Sequence, residues 1–493
     1  MKTVRLGQFD GGMVNDPRDT HTNVARLIKG FDNITAPGKL TPNRSLEVDA
    51  TVESTLAAYR IRKMLLSSDG KLYGAGTVSA VDGHSQVYVK NGSGGPTDQW
   101  TTATATSTNA SSVLTAYTFF EYHGVKYGSE TNGLWRYGDV GGGVFSFVHQ
   151  DDTHVPTGQG IVHSKDDAAY VPCSNVIIRT TTGAIGSWTV ALTLPTGSTI
   201  ANIWEHGNYL AIACNQTDGT MVIYLWDRDA SLSTLSEKID WGRGTLAFGG
   251  SIGGTIVGVS VAANTLSSLT PRLYLKWYDG TLHETELVCS TLNLTSEHQQ
   301  FNDVIYFLAD VTLNGTDLFG LWKLYMSAGR LCLTFDQAPR NDTSLGGTGR
   351  LNAFLRTGDY TLISYLEPTN LNFTIWRTNA TNNYLSTSTF ESTINENMPE
   401  ADKMLQKQLA LIAASCEPLT SGQQLVVKYR VDDGSWRTVA TITTTGTVVN
   451  ESVFEADGNN FASGREYEFD VESTNGAEFT GLEYGYEPIA TNL

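Results

Sequence analysis

The sequence predicts an all-β protein: a β-propeller of six to eight blades, with an extended N-terminal arm and a C-terminal antiparallel β-sandwich. Three observations predict it. Charged residues make up only 17 % of the chain, and 49 glycines stand among many Thr, Ser and Asn, a mixture that favours strands and tight turns over helices. A strand–turn–strand unit recurs along most of the chain. After Trp376 the composition shifts and a different strand pattern begins.

The recurring unit is clearest at Asn208 to Asp227. There the apolar run Tyr209 to Ala213 leads through Thr217-Asp218-Gly219-Thr220, a strong hairpin signal, into Met221 to Trp226. Similar units centre on Tyr73, Tyr127, Tyr170, Leu210, Val257, Tyr306 and Ile363, with gaps of 54, 43, 40, 47, 49 and 57 residues. A degenerate period of roughly 40–50 residues made of strands is the signature of propeller blades, each of which must pack on its neighbours. The pattern carries no WD or kelch signature, and a set of irregular sandwiches is the competing reading.

The ends read differently. In the first 50 residues Gly11-Gly12, Asp16-Pro17, Pro37-Gly38 and Thr41-Pro42 interrupt any regular element. Seven basic and six acidic side chains make this segment near-neutral in a chain of net charge −18. It has too few apolar residues for a core of its own. Residues 1–55 are therefore expected to form an extended arm, strapped to the parent domain or clamping a neighbouring subunit. Phe9, Asp16, Pro17, Arg18 and Arg26 are its candidate interface residues. Residues 56–395 form the propeller and 396–493 the sandwich. In the sandwich, Tyr467, Phe469 and Val471 alternate with Glu466, Glu468, Asp470 and Glu472, which predicts a strand with one dry face and one wet, acidic face. From Glu400 onward there are 15 acidic and 6 basic side chains.

Composition also excludes functions. An acidic chain with pI ≈ 4.9 repels phosphates over its bulk surface. No apolar window approaches the ~20 residues of a membrane-spanning helix. The N-terminus lacks a hydrophobic signal core, so synthesis in the cytosol is expected. Five scattered cysteines, Cys173, Cys214, Cys289, Cys332 and Cys416, fit neither a disulfide framework nor a zinc site and read as core hydrophobes.

The search for chemistry returns little. Gly249-Gly250-Ser251-Ile252-Gly253 matches GxSxG, but Thr255-Ile256-Val257 reads as a strand where the nucleophile elbow needs a helix. Asp151, Asp152 and His154, with His149 and His163 nearby, fit no standard ligand spacing. Ser67-Ser68-Asp69-Gly70 and Asp432-Asp433-Gly434-Ser435-Trp436 both fail the sialidase Asp-box pattern. No catalytic residue, metal or cofactor is expected.

The opening Gly11-Gly12, Asp16-Pro17, Val24-Ala25, Lys29-Gly30-Phe31-Asp32-Asn33 and Leu40-Thr41-Pro42-Asn43-Arg44 resembles the start of tail structural proteins of short-tailed bacteriophages. The stretch Glu417-Pro418-Leu419, Gly422, Val426 to Tyr429 and Asp433 to Trp436 is similar to phage tail sandwich modules. The middle resembles the β-propeller of podovirus tail nozzle proteins. The resemblance implies a non-enzymatic virion component in the tail, a nozzle, hub or ring subunit. It would be made in the host cytoplasm, be homo-oligomeric, contact other tail proteins, and let genome DNA pass without binding it specifically. The alternative is a propeller that binds or cleaves a host surface glycan. On the first reading, deleting residues 1–45 leaves the propeller folded and blocks assembly; an insoluble product would place the arm in the protein's own core.

Overall fold

A computed structural model describes residues 1–16, 18–19, 21, 23–49, 60–77, 85–90, 100–102, 118–130, 133–139, 145–151, 153–231, 234–262, 271–339, 350–358, 360–366, 373–378, 384–446, 448, 451–452 and 463–489. Almost all regular structure is strand; the helix among the described residues is the single turn Glu400–Lys403. The chain divides into two compact units. One comprises 47–311 and 344–377, the other 1–46, 312–343 and 378–493.

The first unit is a β-propeller. Five antiparallel four-stranded sheets follow one another at 60–102, 119–151, 161–193, 198–243 and 245–288, each in simple sequence order. Strands Thr291–Phe301 and Val304–Leu313 begin a sixth blade, and 350–378 supplies three strands of a seventh. The first strand of each blade is innermost. These seven strands (Arg60–Leu66, Phe119–Tyr122, Ile161–His163, Ser198–His206, Thr245–Ile252, Thr291–Phe301 and Arg350–Arg356) neighbour one another in order, and the last neighbours the first. The ring thus closes with seven blades, within the expected six to eight. All seven tandem anchors lie on the second strand of a blade.

Local chemistry sets the blade shape. Asp218-Gly219 makes the expected hairpin, with Gly219 at φ 79° and the Asp218 carboxylate accepting the Thr220 N–H at 2.9 Å. Four innermost strands carry a register shift near their start, at Ile61/Lys63, Ile200/Asn202, Leu246/Phe248 and Leu351/Ala353. Such bulges add the twist a crowded ring centre demands. Apolar side chains then fill the wedges between blades. Ala168, Tyr170 and Ile177 pack with Ile203, Leu210 and Trp226, and Trp204 and Ala211 with Trp241 and Leu246. At Gly128 a Cβ would stand 2.1 Å from the Trp135 ring, so only glycine admits that indole.

Ring closure uses a strand from upstream. Leu46–Val48 adds a fourth strand to the last blade, beside Phe373–Thr378. The next residue, Asp49, donates its backbone N–H to the Ile375 carbonyl at 2.8 Å. Its side chain is fully buried and meets the ammonium of Lys90, also fully buried, in the first blade. The Trp100 indole N–H bonds the same carboxylate at 2.9 Å, and Arg377 of the last blade lies 3.9 Å away. Ile61, Tyr88 and Trp100 pack against Leu355, Leu362 and Ile375 around this clasp.

Among the described residues the second unit holds the short pair Phe31–Asp32 with Thr41–Pro42 and two larger sheets. One has Lys2–Leu6, Phe479–Pro488, Lys407–Cys416 and Glu451–Ser452 in that order, with Ser463–Gly464 also paired to Lys407–Cys416. The other runs Thr316–Ser327, Arg330–Gln337, Ala25–Lys29, Ser388–Ser392, Tyr467–Thr474, Gln424–Val431 and Arg437–Ile442. They face each other through Phe469 on Tyr484 (4.7 Å) and Phe390 on Phe479 (6.5 Å). The N-terminal segment therefore supplies four strands to this unit, two of them to the larger sheets, and 312–343 joins it as well. Those divisions differ from boundaries at 55 and 395. The strands of 312–343 carry the same apolar-aromatic pattern as a blade, so sequence gives no cue to assign them elsewhere.

Replacing Asp49 by Ala leaves Lys90 buried without its anionic partner. Chemical denaturation is expected to show the propeller destabilised by ~3–5 kcal/mol, with most of that recovered in Asp49→Ala/Lys90→Met.

Candidate functional site

A cavity of about 580 Å³ runs along the innermost strands of the propeller. Its walls are apolar with few polar groups, the usual make-up of a ligand site. Its polar side chains include Lys63, Gln159, Glu297, His298, Gln299, Gln300, Arg356 and Thr357. Most of them face the propeller's own chain.

Three amide side chains each bind both backbone groups of one residue on a neighbouring innermost strand. Gln299 donates to the Arg356 carbonyl and accepts its N–H, both at 2.9 Å. Asn202 does the same with Gly249 at 2.9 and 3.0 Å, and Gln159 with Phe119 at 3.0 and 3.3 Å. Asn215, one strand further out, repeats the device on Leu246. At the ring centre inner strands splay too far apart for a ladder, and an amide offers one donor and one acceptor to fill the gap.

The charged groups are also engaged. Lys63 and Glu297 pair at 2.8 Å, both nearly buried. Burial pushes the Glu297 carboxyl up, and Lys63 opposes this. The Arg356 guanidinium lies 4.8 Å over the Tyr306 ring and donates to Thr361 Oγ1 at 2.8 Å. His298 stacks on Phe248 at 4.9 Å and meets Asn202 at 3.2 Å. Among the described lining residues Glu297 is the one carboxylate and Arg356 the one arginine. Glycoside cleavage through paired carboxylates needs a second, roughly 5–9.5 Å from the first.

The GxSxG serine lies at the end of Thr245–Ile252, and Gly253-Gly254, at φ 55° and 83°, turn the chain straight into Thr255–Val261. No elbow forms. Ser251 Oγ contacts His206 Nδ1 at 2.6 Å, and burial lowers the His206 pKa against the opposing pull of Glu237. The position recurs: Ser68 and Ser164, at the same hairpin of their blades, bind Glu121 and Glu205 of the following blade. Gln300 takes that place beside Ser251, donating to its carbonyl at 2.6 Å. Ser251 thus belongs to a repeated latch between blades. Of the Asp/His cluster, Asp152 lies outside the described residues, as do the side chains of His149 and Asp151. His163 is buried with Asp166 and Glu205 each 3.6 Å from Nδ1. No group of three potential metal ligands occurs among the described residues. The five cysteines are buried. No helix among the described residues is long and apolar enough to cross a membrane.

The candidate interface residues make contacts inside their own unit. Phe9 is buried, 5.1 Å from the Phe390 ring and 5.5 Å from Phe479. Asp16 accepts the Arg18 backbone N–H at 2.9 Å. Arg18, exposed, pairs with Glu466 at 2.6 Å, and Arg26 with Glu468 at 2.9 Å. Pro17 lies outside the described residues.

Those pairs belong to a charged ladder that corrects the wet-face expectation. Glu468 and Asp470 are buried. Arg26 and Arg430 hold Glu468, the latter through two bonds of 2.8 and 2.9 Å, and Lys428 holds Asp470 at 3.1 Å. Long basic side chains, from the next strand for Arg430 and Lys428 and from two strands away for Arg26, lie over the acids and take their water away. Alternation alone shows which face an acid occupies, not what covers it. Burial pushes the Asp470 carboxyl up to about 6 and raises that of Glu391 beside it.

No protein-family model matches the chain, and no curated protein matches it by sequence. Solved structures with a similar fold include the Myceliophteria thermophila Cps50 (Swd1) β-propeller domain, at TM-score 0.40 and 10 % identity, covering 64 % of this chain and 96 % of that one. BBS1N in complex with ARL6DN aligns at TM-score 0.37 and 11 % identity over 69 % and 98 %. Trypanosoma rangeli sialidase in complex with 2,3-difluorosialic acid aligns at 0.33 and 9 % over 98 % and 95 %. These low scores carry nothing about function.

Two substitutions test this account. Gln299→Leu strips both partners from the Arg356 backbone and is expected to destabilise the propeller by ~2–4 kcal/mol in urea unfolding. Asp470 titrates higher folded than unfolded, so the stability it confers is complete below about pH 4 and is lost as pH rises to about 6. Asp470→Asn is therefore expected to gain on the wild type, by up to ~3 kcal/mol, across that window.

Proposed function

We propose that this chain is a non-catalytic structural subunit of a bacteriophage tail, assembled in several copies at the nozzle, hub or ring. The observation that carries this reading is the commitment of the propeller's central polar groups to its own backbone. Gln159, Asn202 and Gln299 bridge neighbouring inner strands, and Lys63 and Glu297 neutralise each other. A centre built this way serves rigidity, whereas a substrate site keeps polar groups available for ligand. The order of Gly, Pro and aromatic residues over 11–44 supports the tail assignment by its resemblance to short-tailed phage proteins.

The net charge of −18 suits a subunit near a passing genome. A surface that neutralises no phosphates holds no duplex, so DNA moves along it without being bound. On this reading the partners are further copies of the chain and other tail proteins. The site of action is the virion tail, after synthesis in the host cytoplasm.

Light scattering on the purified chain, with negative-stain images of the same sample and a glycan array, tests the proposal. Rings or defined multimers without glycan binding are expected. A monomer that binds a glycan, with affinity lost in Arg356→Ala, would overturn it in favour of a host-surface receptor-binding propeller.

A further inference from the structure

Glu396 takes part in none of the arrangements above. Its side chain is 4 % exposed, and neither carboxylate oxygen accepts a hydrogen bond. Burial pushes its pKa up to about 8, against a weaker opposing pull from the Thr393 backbone amide, which lies outside hydrogen-bond geometry. An ionised carboxylate in that position would forfeit its hydration for nothing.

The backbone around it is pinned. Asn395 and Asn397 both hold left-handed conformations, at φ 50° and 57°. The Asn395 side chain donates to the Lys403 and Arg465 carbonyls at 3.2 and 2.9 Å and accepts the Tyr467 N–H at 3.1 Å. The Tyr484 hydroxyl donates to the Glu396 carbonyl at 2.7 Å. A turn held this firmly leaves the side chain's own torsions as the means of relieving a buried charge.

Glu396 also lines a cavity of about 770 Å³ in the same unit. The charged groups around it are Arg5 on Lys2–Leu6, Asp19 and His21 on the following loop, and Glu400 and Lys403 on the helical turn; Tyr484 faces Glu396 from Phe479–Pro488. Asp19 is held by His21 at 2.5 Å, and Glu400 by Lys403 at 2.9 Å. Among the described residues Arg5 has no ion-pair partner, so it is the cation available to a new carboxylate.

We propose that Glu396 is a proton-operated side-chain switch: protonated, its carboxyl stays in the core; ionised, it turns into the neighbouring cavity and pairs with Arg5. The proton goes to solvent and no covalent bond changes. The inference is independent of the proposed tail function.

Infrared difference spectra of the full chain, taken from pH 6 to 10, read the switch directly. The wild type is expected to show a protonated-carboxyl carbonyl band at pH 7 that Glu396→Gln lacks. That band should fade with a midpoint below 8, the value burial imposes on the carboxyl held in the core, because pairing with Arg5 stabilises the ionised form. Arg5→Gln should raise the midpoint towards 8, by about one pH unit, because it removes the partner of the ionised form. The Asp470 band, which fades near pH 6, persists in Glu396→Gln, so the two acids are told apart. If Glu396→Gln does not fold, Glu396→Met, which fills the apolar site without a charge, supplies the subtraction. Absence of a Glu396-dependent band at pH 7 overturns the proposal, as does a midpoint that Arg5→Gln leaves in place.

Discussion

A propeller is a strip of sheets that must be joined end to end, and here the join depends on one buried ion pair. Asp49, just past the three-residue closing strand, meets Lys90 of the first blade and stands near Arg377 of the last. Three residues of strand pairing cannot hold a ring alone. The clasp adds a charge contact in which both groups are fully buried, so breaking it leaves a charge stranded in the core. Every wedge of apolar side chains between blades presupposes that the first and last blades stay joined.

The same economy governs the ring centre. Inner strands cannot form ladders with one another, so their outward backbone groups would be orphaned in an apolar channel. Amide side chains at Gln159, Asn202, Asn215 and Gln299 satisfy them, and serine–glutamate latches at 68/121 and 164/205 tie hairpins to the next blade. Polar residues in the middle of a propeller are then structural by default.

Much of the fold was legible in the sequence. Repeating aromatic and branched anchors marked the second strand of all seven blades, because that strand is buried on both faces in each copy and its composition repeats. The hairpin at Asp218-Gly219 was legible from turn chemistry alone. Three features were not. The segment 312–343 looks like a blade and joins the other unit. Glu468 and Asp470 look solvated and are covered by arginine and lysine from strands distant in sequence. The amide bridges rest on single Asn and Gln residues whose partners lie ~30–60 positions away, a spacing fixed by blade length and carrying no motif of its own.

Both units are discontinuous in the chain, and this sets the order in which they can form. The closing strand at Leu46–Val48 emerges from the ribosome early but has no partner until Phe373–Thr378 has been made. Lys2–Leu6 waits longer still, for Phe479–Pro488. The propeller cannot finish folding before Phe373–Thr378 is made, nor the other unit before Phe479–Pro488, and the nascent chain carries unpaired strands in the meantime. Such topology folds slowly and exposes sticky edges while it waits. Shielding of those unpaired strands during translation is therefore a separate requirement for a good yield, one that the stability of the finished ring does not meet.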